Sequence, residues 1–180
     1  MAADRGPMAE KHLGQFEADI LPHLDDAYTL ARYLVGDEHD AQDVVQDAAL
    51  RAFRHFGGFR QGDPRAWLLS IVRNCCYTLL GARRTDRARM ADHGLAIDVA
   101  DPHAADELAT QSSDRALLET ALSQLPLELR EVLVLRELGD LSYREISDVV
   151  GAPMGTVMSR LSRARERLAR LLGARVEEAS

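Results

Sequence analysis

The sequence is short of cysteine, of long apolar runs and of strand signals, and each shortage closes off a class of protein. Its two cysteines, Cys75 and Cys76, are adjacent. Neighbouring cysteines rarely bridge each other, and a CC pair matches no metal-ligand spacing. A redox or zinc role therefore stands against the plainer reading of two small hydrophobes on one helix. The six histidines are scattered, with no HExxH or HxxxCxxC arrangement. We expect no metal and no cofactor. No apolar stretch reaches the ~18 residues that span a bilayer. MAADRGPMAEKH lacks the apolar centre of a signal peptide, so a soluble, cytoplasmic protein is expected. Asn-Gly hairpins and period-two alternation are missing, which argues against a sheet. A Walker-type loop, a catalytic triad and a metal cluster are missing too, which argues against an enzyme and a small-molecule substrate.

What is present has the balance of a globular protein. Hydrophobic residues make up 46% and charged residues 28%, against global disorder. The 180 residues suit one ordinary domain or two small ones. The net charge of −7 is unevenly spread. Residues 61–90 carry six basic groups against two acidic, and residues 154–175 carry six arginines against Glu166 alone. An acidic stretch separates them. Local field rather than total charge governs nucleic-acid binding, so two basic patches suggest two DNA contacts. Solvated helix faces would look the same.

Helical periodicity fills most of the length. A first stretch over 12–35 breaks at Pro22 and stops at Gly36. A second runs from Asp37 to Phe56 with Ala41, Val45, Ala48 and Ala52 on one face. A third opens at Asp63-Pro64, where Asp caps and Pro suits the first helical position. Leu68, Val72, Cys75 and Leu79 follow helical spacing, and the pattern ends near Arg84. Residues 85–112 lose periodicity and read as a linker. Ser113 to Gln124 is helical, and Pro126 opens a helix through Glu137 that breaks at Gly139-Asp140. Ser142-Tyr143-Arg144-Glu145 fits a capping box. That helix stops at Gly151. The last begins near Gly155-Thr156, buries Val157, Leu161, Ala164, Leu168 and Leu171, and stops at Gly173. The expected fold is all-α: two small helical domains joined by a flexible linker, the second a helix-turn-helix.

The pair 142–150 and 155–172 is that helix-turn-helix. Ile146, Val149 and Val150 brace the second helix, whose small and polar N-terminal end can enter a major groove. Free backbone N–H groups at Gly155 and Thr156 suit a phosphate. Arg160, Arg163, Arg165 and Arg167 reach toward phosphates or base edges. A plain helical hairpin is the competing reading.

LSYREISDVVGAPMGTVMSRLSRARERL is very similar to the −35-reading module of extracytoplasmic-function sigma factors, and LPLELREVLVLREL resembles that family's entry helix. Upstream, AQDVVQDAALRAFRHFGGF followed by RAWLLSIVRN resembles the family's polymerase-binding and −10-melting module. The blocks stand in the family's order, with a variable linker between them.

The resemblance implies a division at 1–88, 89–112 and 113–175. It implies that Asp43, Val44, Val45, Gln46 and Asp47 dock on the β and β′ subunits of core RNA polymerase. It implies −10 contacts from Phe59, Arg60, Arg65, Trp67, Arg73 and Asn74. Asn74 lines a pocket for a flipped-out base, whose edge an amide can pair. Trp67 either packs in the core or stacks on a base. Arg83, Arg84, Arg87 and Arg89 hold upstream phosphates. The −35 contacts implied are Gly155, Thr156, Met158, Ser159, Arg160, Ser162 and Arg163. Met158 stands where relatives carry Lys or Arg, and Ser162 where a larger residue is common, so the −35 preference should differ. The structural alternative is that Met158 packs inward and Arg163 pairs with Glu166. An anti-sigma partner is a further implication. The competing class is a polymerase-independent helix-turn-helix regulator with residues 1–90 as a ligand or dimer domain.

Overall fold

The computed structural model describes residues 7–59, 62–92 and 110–178, and no strand occurs among them. The helices are α1 (Pro7–Ile20), α2 (Leu24–Val35), α3 (Glu38–His55), α4 (Pro64–Asp92), α5 (Thr110–Ser123), α6 (Leu127–Glu137), α7 (Tyr143–Val150) and α8 (Met154–Glu178). None of the described helices is long and apolar enough to cross a membrane.

Local chemistry sets most of the boundaries. Pro22 falls in a single 3-10 turn between α1 and α2, because proline lacks the N–H that a helix interior uses. Gly36 adopts φ 82°, and its N–H closes α2 on the Arg32 carbonyl. Asp37 caps α3 by accepting the Asp40 N–H at 2.9 Å. That bond, chief among the causes, holds its carboxyl below the usual range. The buried face of α3 is Ala41, Val44, Ala48 and Ala52. Val44 takes the core position expected of Val45, which is only half-buried. Spacing of three from Ala41 and four to Ala48 keeps Val44 in phase with the alanines.

Helix α4 begins as the sequence indicates, with the Asp63 carboxylate accepting the Arg65 N–H at 3.0 Å. It buries Leu68, Leu69, Val72, Cys75 and Cys76. Both thiols are free and raised by burial, Cys76 to about 12, so they behave as apolar filler rather than nucleophiles. The helix continues past Arg84 to Asp92. Residues 85–89 are exposed, and their loss of apolar period reflects solvent on every side rather than a break in the helix. Residues 93–109 of the expected linker, and its expected mobility, lie outside the described residues.

The N-terminal helices pack around Leu30, Leu34, Ala48, Leu68 and Val72, and the C-terminal helices around Leu135, Ile146, Val157 and Leu161. The two units also pack on each other, α6 against α2 and α7 against α4, so their buried side chains form one connected cluster. Helix α6 lies at the centre. Glu131, Val132, Leu133, Val134 and Leu135 are all buried, as on a helix covered on every side. Arg130 beside them donates to the carbonyls of Tyr33, Leu34, Ser123 and Leu125, tying the end of α2 to the α5–α6 turn. Burial pulls its guanidinium down. Gly139 makes the turn after α6, where a Cβ would stand 2.8 Å from the Leu135 carbonyl oxygen. Asp140 follows at φ 50°.

Candidate nucleic-acid interface

The C-terminal face is assembled by α7, a three-residue turn and α8. Both arms of the capping box form: the Glu145 N–H donates to Ser142 Oγ at 3.3 Å, and the Ser142 N–H to Glu145 Oε2 at 2.7 Å. Hydrogen bonds to Ser142 hold the Glu145 carboxyl below its ordinary range. Ile146, Val149 and Val150 are buried as expected. Gly151 ends α7 at φ 66°, and the Ser147 hydroxyl locks the turn by donating to the Ala152 carbonyl at 2.6 Å. Val157, Leu161 and Ala164 pin α8 from beneath.

That packing decides what α8 presents. Met158 is 49% exposed, and Ser162 and Arg163 are exposed beside it. Met158 therefore does not pack inward. Glu166 lies 4.0 Å from Arg170 and makes no ion pair with Arg163. Ser159 is half-buried, its hydroxyl donating to the Thr156 carbonyl at 3.0 Å. The expected free N–H at Thr156 is corrected. It donates to the Pro153 carbonyl at 2.8 Å, because α8 starts at Met154, a residue before Gly155. Gly155 is exposed in that first turn. Gly173 does not end α8, which runs to Glu178; a solvated helix accommodates one glycine at a cost of about 1 kcal/mol. Arg160 is turned inward and lies 3.6 Å from Glu131, and Arg165 pairs with Glu137 at 2.7 Å.

The N-terminal face is built by the start of α4 and the segment before it. Phe59 and Trp67 lie 4.8 Å apart, with Phe56 6.3 Å from Trp67. Both readings of Trp67 meet here: it is half-buried in this aromatic cluster and also lines an open cleft of about 590 Å³ with Phe59, Gly62, Ser70 and Asp148. Arg60 lies outside the described residues. Arg65 donates to Asp26 at 2.7 Å and to the Gly139 carbonyl at 2.5 Å. Asn74 is exposed on α4, away from Leu68 and Val72. Arg73, one residue earlier, donates to Glu131 at 2.7 Å. Arg83 pairs with Asp40 at 2.6 Å, while Arg84 is exposed.

On α3, Asp43 and Gln46 are exposed, and Asp47 pairs with Arg51 at 2.8 Å. Val44, at 5% exposed, is not a surface residue. Two side chains missed by the sequence reading extend this face: Leu50 is 50% and Phe53 40% exposed. Spacing of three and four from Asp43 through Gln46 to Leu50 and Phe53 puts all four on one stripe, and that spacing was the available signal.

Comparison with known proteins follows this division. The Sigma-70 region 2 family matches residues 20–86 and the Sigma-70 region 4 family residues 115–168. RNA polymerase sigma-H factor of Pseudomonas aeruginosa is 34% identical over 91% of this chain and 89% of its own length. ECF RNA polymerase sigma factor SigE of Mycolicibacterium smegmatis is 35% identical over 83% of the chain, which spans 58% of that relative. Among solved structures, the sigma factor RpoE in complex with the anti-sigma factor NepR from Bartonella quintana superposes with a TM-score of 0.71 at 30% identity, covering 88% of this chain and 97% of that one. CnrH in complex with the cytosolic domain of CnrY gives 0.62 at 29% identity, covering 96% and 93%. With both sigma regions in order and ECF relatives of 30% identity or more covered over two thirds of their own length, the chain belongs to the ECF sigma factors, which direct RNA polymerase to promoters.

Proposed function

We propose that residues 113–175 read the −35 duplex through the Met158, Ser162 and Arg163 face, and that residues 1–88 dock on core polymerase and capture the unpaired −10 strand. The α3 stripe of Asp43, Gln46, Leu50 and Phe53 makes the docking surface, an apolar strip beside acceptor groups. Asn74 pairs with an extruded base, and Phe59 and Trp67 offer the ring surface on which a neighbour stacks. Residues 89–112 connect the two readers. The energy for opening comes from polymerase contacts, phosphate contacts and base capture, with no covalent step. The protein works in the cytoplasm, where polymerase and promoter are, and an anti-sigma protein binds it, as the anti-sigma factor NepR is found in complex with the sigma factor RpoE.

The observation that carries this reading is the exposure of the reading side chains while the other side of each helix is consumed by the core: Asn74 against Val72 and Cys76 on α4, Arg163 against Leu161 and Ala164 on α8. Run-off transcription with core polymerase on genomic fragments tests it, and alignment of start sites yields the promoter. Asp43→Ala with Gln46→Ala should abolish co-elution with core in size-exclusion runs and keep helix content. Promoter protection by the pure chain without core would favour a polymerase-independent regulator instead.

A further inference from the structure

Glu131 is 0% exposed and is the one charged side chain in the core of the described residues. A carboxylate is almost never fully buried unless it is paired. Its partners come from both units. Arg73 donates through Nε to Oε2 at 2.7 Å and through Nη2 to Oε1 at 3.2 Å. The Tyr77 hydroxyl donates to Oε2 at 2.9 Å, and the Arg73 guanidinium lies 4.3 Å over the Tyr77 ring. Arg160 of α8 stands 3.6 Å from Oε1. One arginine belongs to the proposed −10 helix and the other to the −35 reading helix. A carboxylate that holds a guanidinium through two parallel N–H donors, with a second cation at ion-pair distance, fills the role of phosphate oxygens.

The surroundings repeat the pattern. Arg65 donates to the Gly139 carbonyl of the turn that leads into α7. Helix α7 packs on α4, and its Asp148 stands at the edge of the cleft beside Phe59 and Trp67. The α3 stripe, by contrast, stays in solvent.

We infer that the chain inhibits itself: Glu131 is an internal substitute for DNA phosphate that latches the two DNA-reading units together until core polymerase separates them. The inference rests on the function proposed above. Closure occupies Arg65 and Arg73 and leaves the polymerase-docking stripe open, so docking precedes reading. Opening releases Arg73 from Glu131, while Arg160 of the same C-terminal unit stays beside that carboxylate, so Glu131 keeps a cation in both states. Burial opposes the charge on Arg73, but the Glu131 hydrogen bonds and charge outweigh it and raise its affinity for the proton.

The test is binding of the free chain to a fluorescent random-sequence duplex over a range of salt. Glu131→Gln keeps the side-chain shape and removes the charge. It should tighten binding about tenfold or more and steepen the log–log salt slope by roughly 0.9 for each freed arginine contact. Glu128→Gln, exposed on the same helix, makes the same change in net charge and should leave the slope as in the unmodified chain. Tyr77→Phe removes one bond to Glu131 without altering charge. It should move binding in the same direction by a smaller factor, and it judges the latch alone if Glu131→Gln does not fold. Unchanged affinity and slope in Glu131→Gln and Tyr77→Phe, with normal run-off transcription when core is added, would overturn the latch and spare the function. Failure of the unmodified chain to direct core at any promoter would overturn both.

Discussion

Arg73 on α4 and Arg163 on α8 read alike in the sequence, each a cation on a helix that resembles a DNA reader. Arg73 is held by Glu131 and stacked over Tyr77, whereas Arg163 is in solvent with no ion pair to Glu166. The contrast extends to whole faces. Arg65, Arg73 and Arg83 each meet a carboxylate, and on α8 the inward-facing Arg160 does too, but the outer face of α8 keeps its cation unspent. A basic stretch therefore states how many cations a segment carries and not how many remain for a ligand. Partners within the fold decide that.

The widest separation between the two arginines should appear in stability. Removing one member of a buried pair costs roughly 3–5 kcal/mol, whereas a surface change away from special features stays within about 0.5 kcal/mol. Glu131→Ala should thus lower the unfolding free energy by as much as that larger figure, read as a fall in the denaturant midpoint, and Arg163→Ala should leave the midpoint in place. Equal midpoints for the two variants would show that the buried cluster does not persist in solution.

Specificity separates them in the opposite sense. Arg163 can donate two bonds to a guanine, worth about 1–3 kcal/mol of discrimination. On a −35 duplex library Arg163→Ala should lose preference at one base pair. Met158→Arg should tighten all duplexes and add about 0.9 to the salt slope. If Arg163→Ala weakens every duplex equally, Arg163 is a phosphate anchor and its base-reading role fails.

A smaller effect sharpens the account of how α8 is aimed. Ser142→Ala removes the cap of α7 and should cost about 1 kcal/mol. The Glu145 half of the box has its own signature. Its carboxyl is depressed in the folded chain by bonding to Ser142, so its contribution is present above the ordinary glutamate range and is lost as pH falls through the depressed value. Acid titration of the unmodified chain should show that loss, and Glu145→Gln should flatten it. A titration unchanged by Glu145→Gln would remove the box from the account.

Local signals made most of the fold legible. Gly36 and Gly151 marked stops because left-handed geometry favours glycine, and Ser142 with Glu145 announced a helix start three residues apart. Val157, Leu161 and Ala164 gave the inner stripe of α8. The misses share a cause: they depend on what surrounds a segment. The extension of α4 past Arg84 runs through residues 85–89, whose side chains face water, so no apolar period records it. Exposed Leu50 and Phe53 look like core residues until the packing of Val44 sets the phase of α3. The contacts of Glu131 with Arg73 and Arg160 join segments far apart in the chain, and no local spacing announces them.

Asn74 and Arg163, the exposed residues of the two readers, carry the central claim that binding and opening are assigned to different units. Permanganate reactivity of −10 thymines, measured with core polymerase beside duplex affinity, tests it most directly. Asn74→Ala should leave duplex binding nearly intact and slow opening. Arg163→Ala should weaken binding and open normally once occupancy is matched. If both variants lose the same step, or if Asn74→Ala loses only folding stability, the division of labour between the two units is wrong.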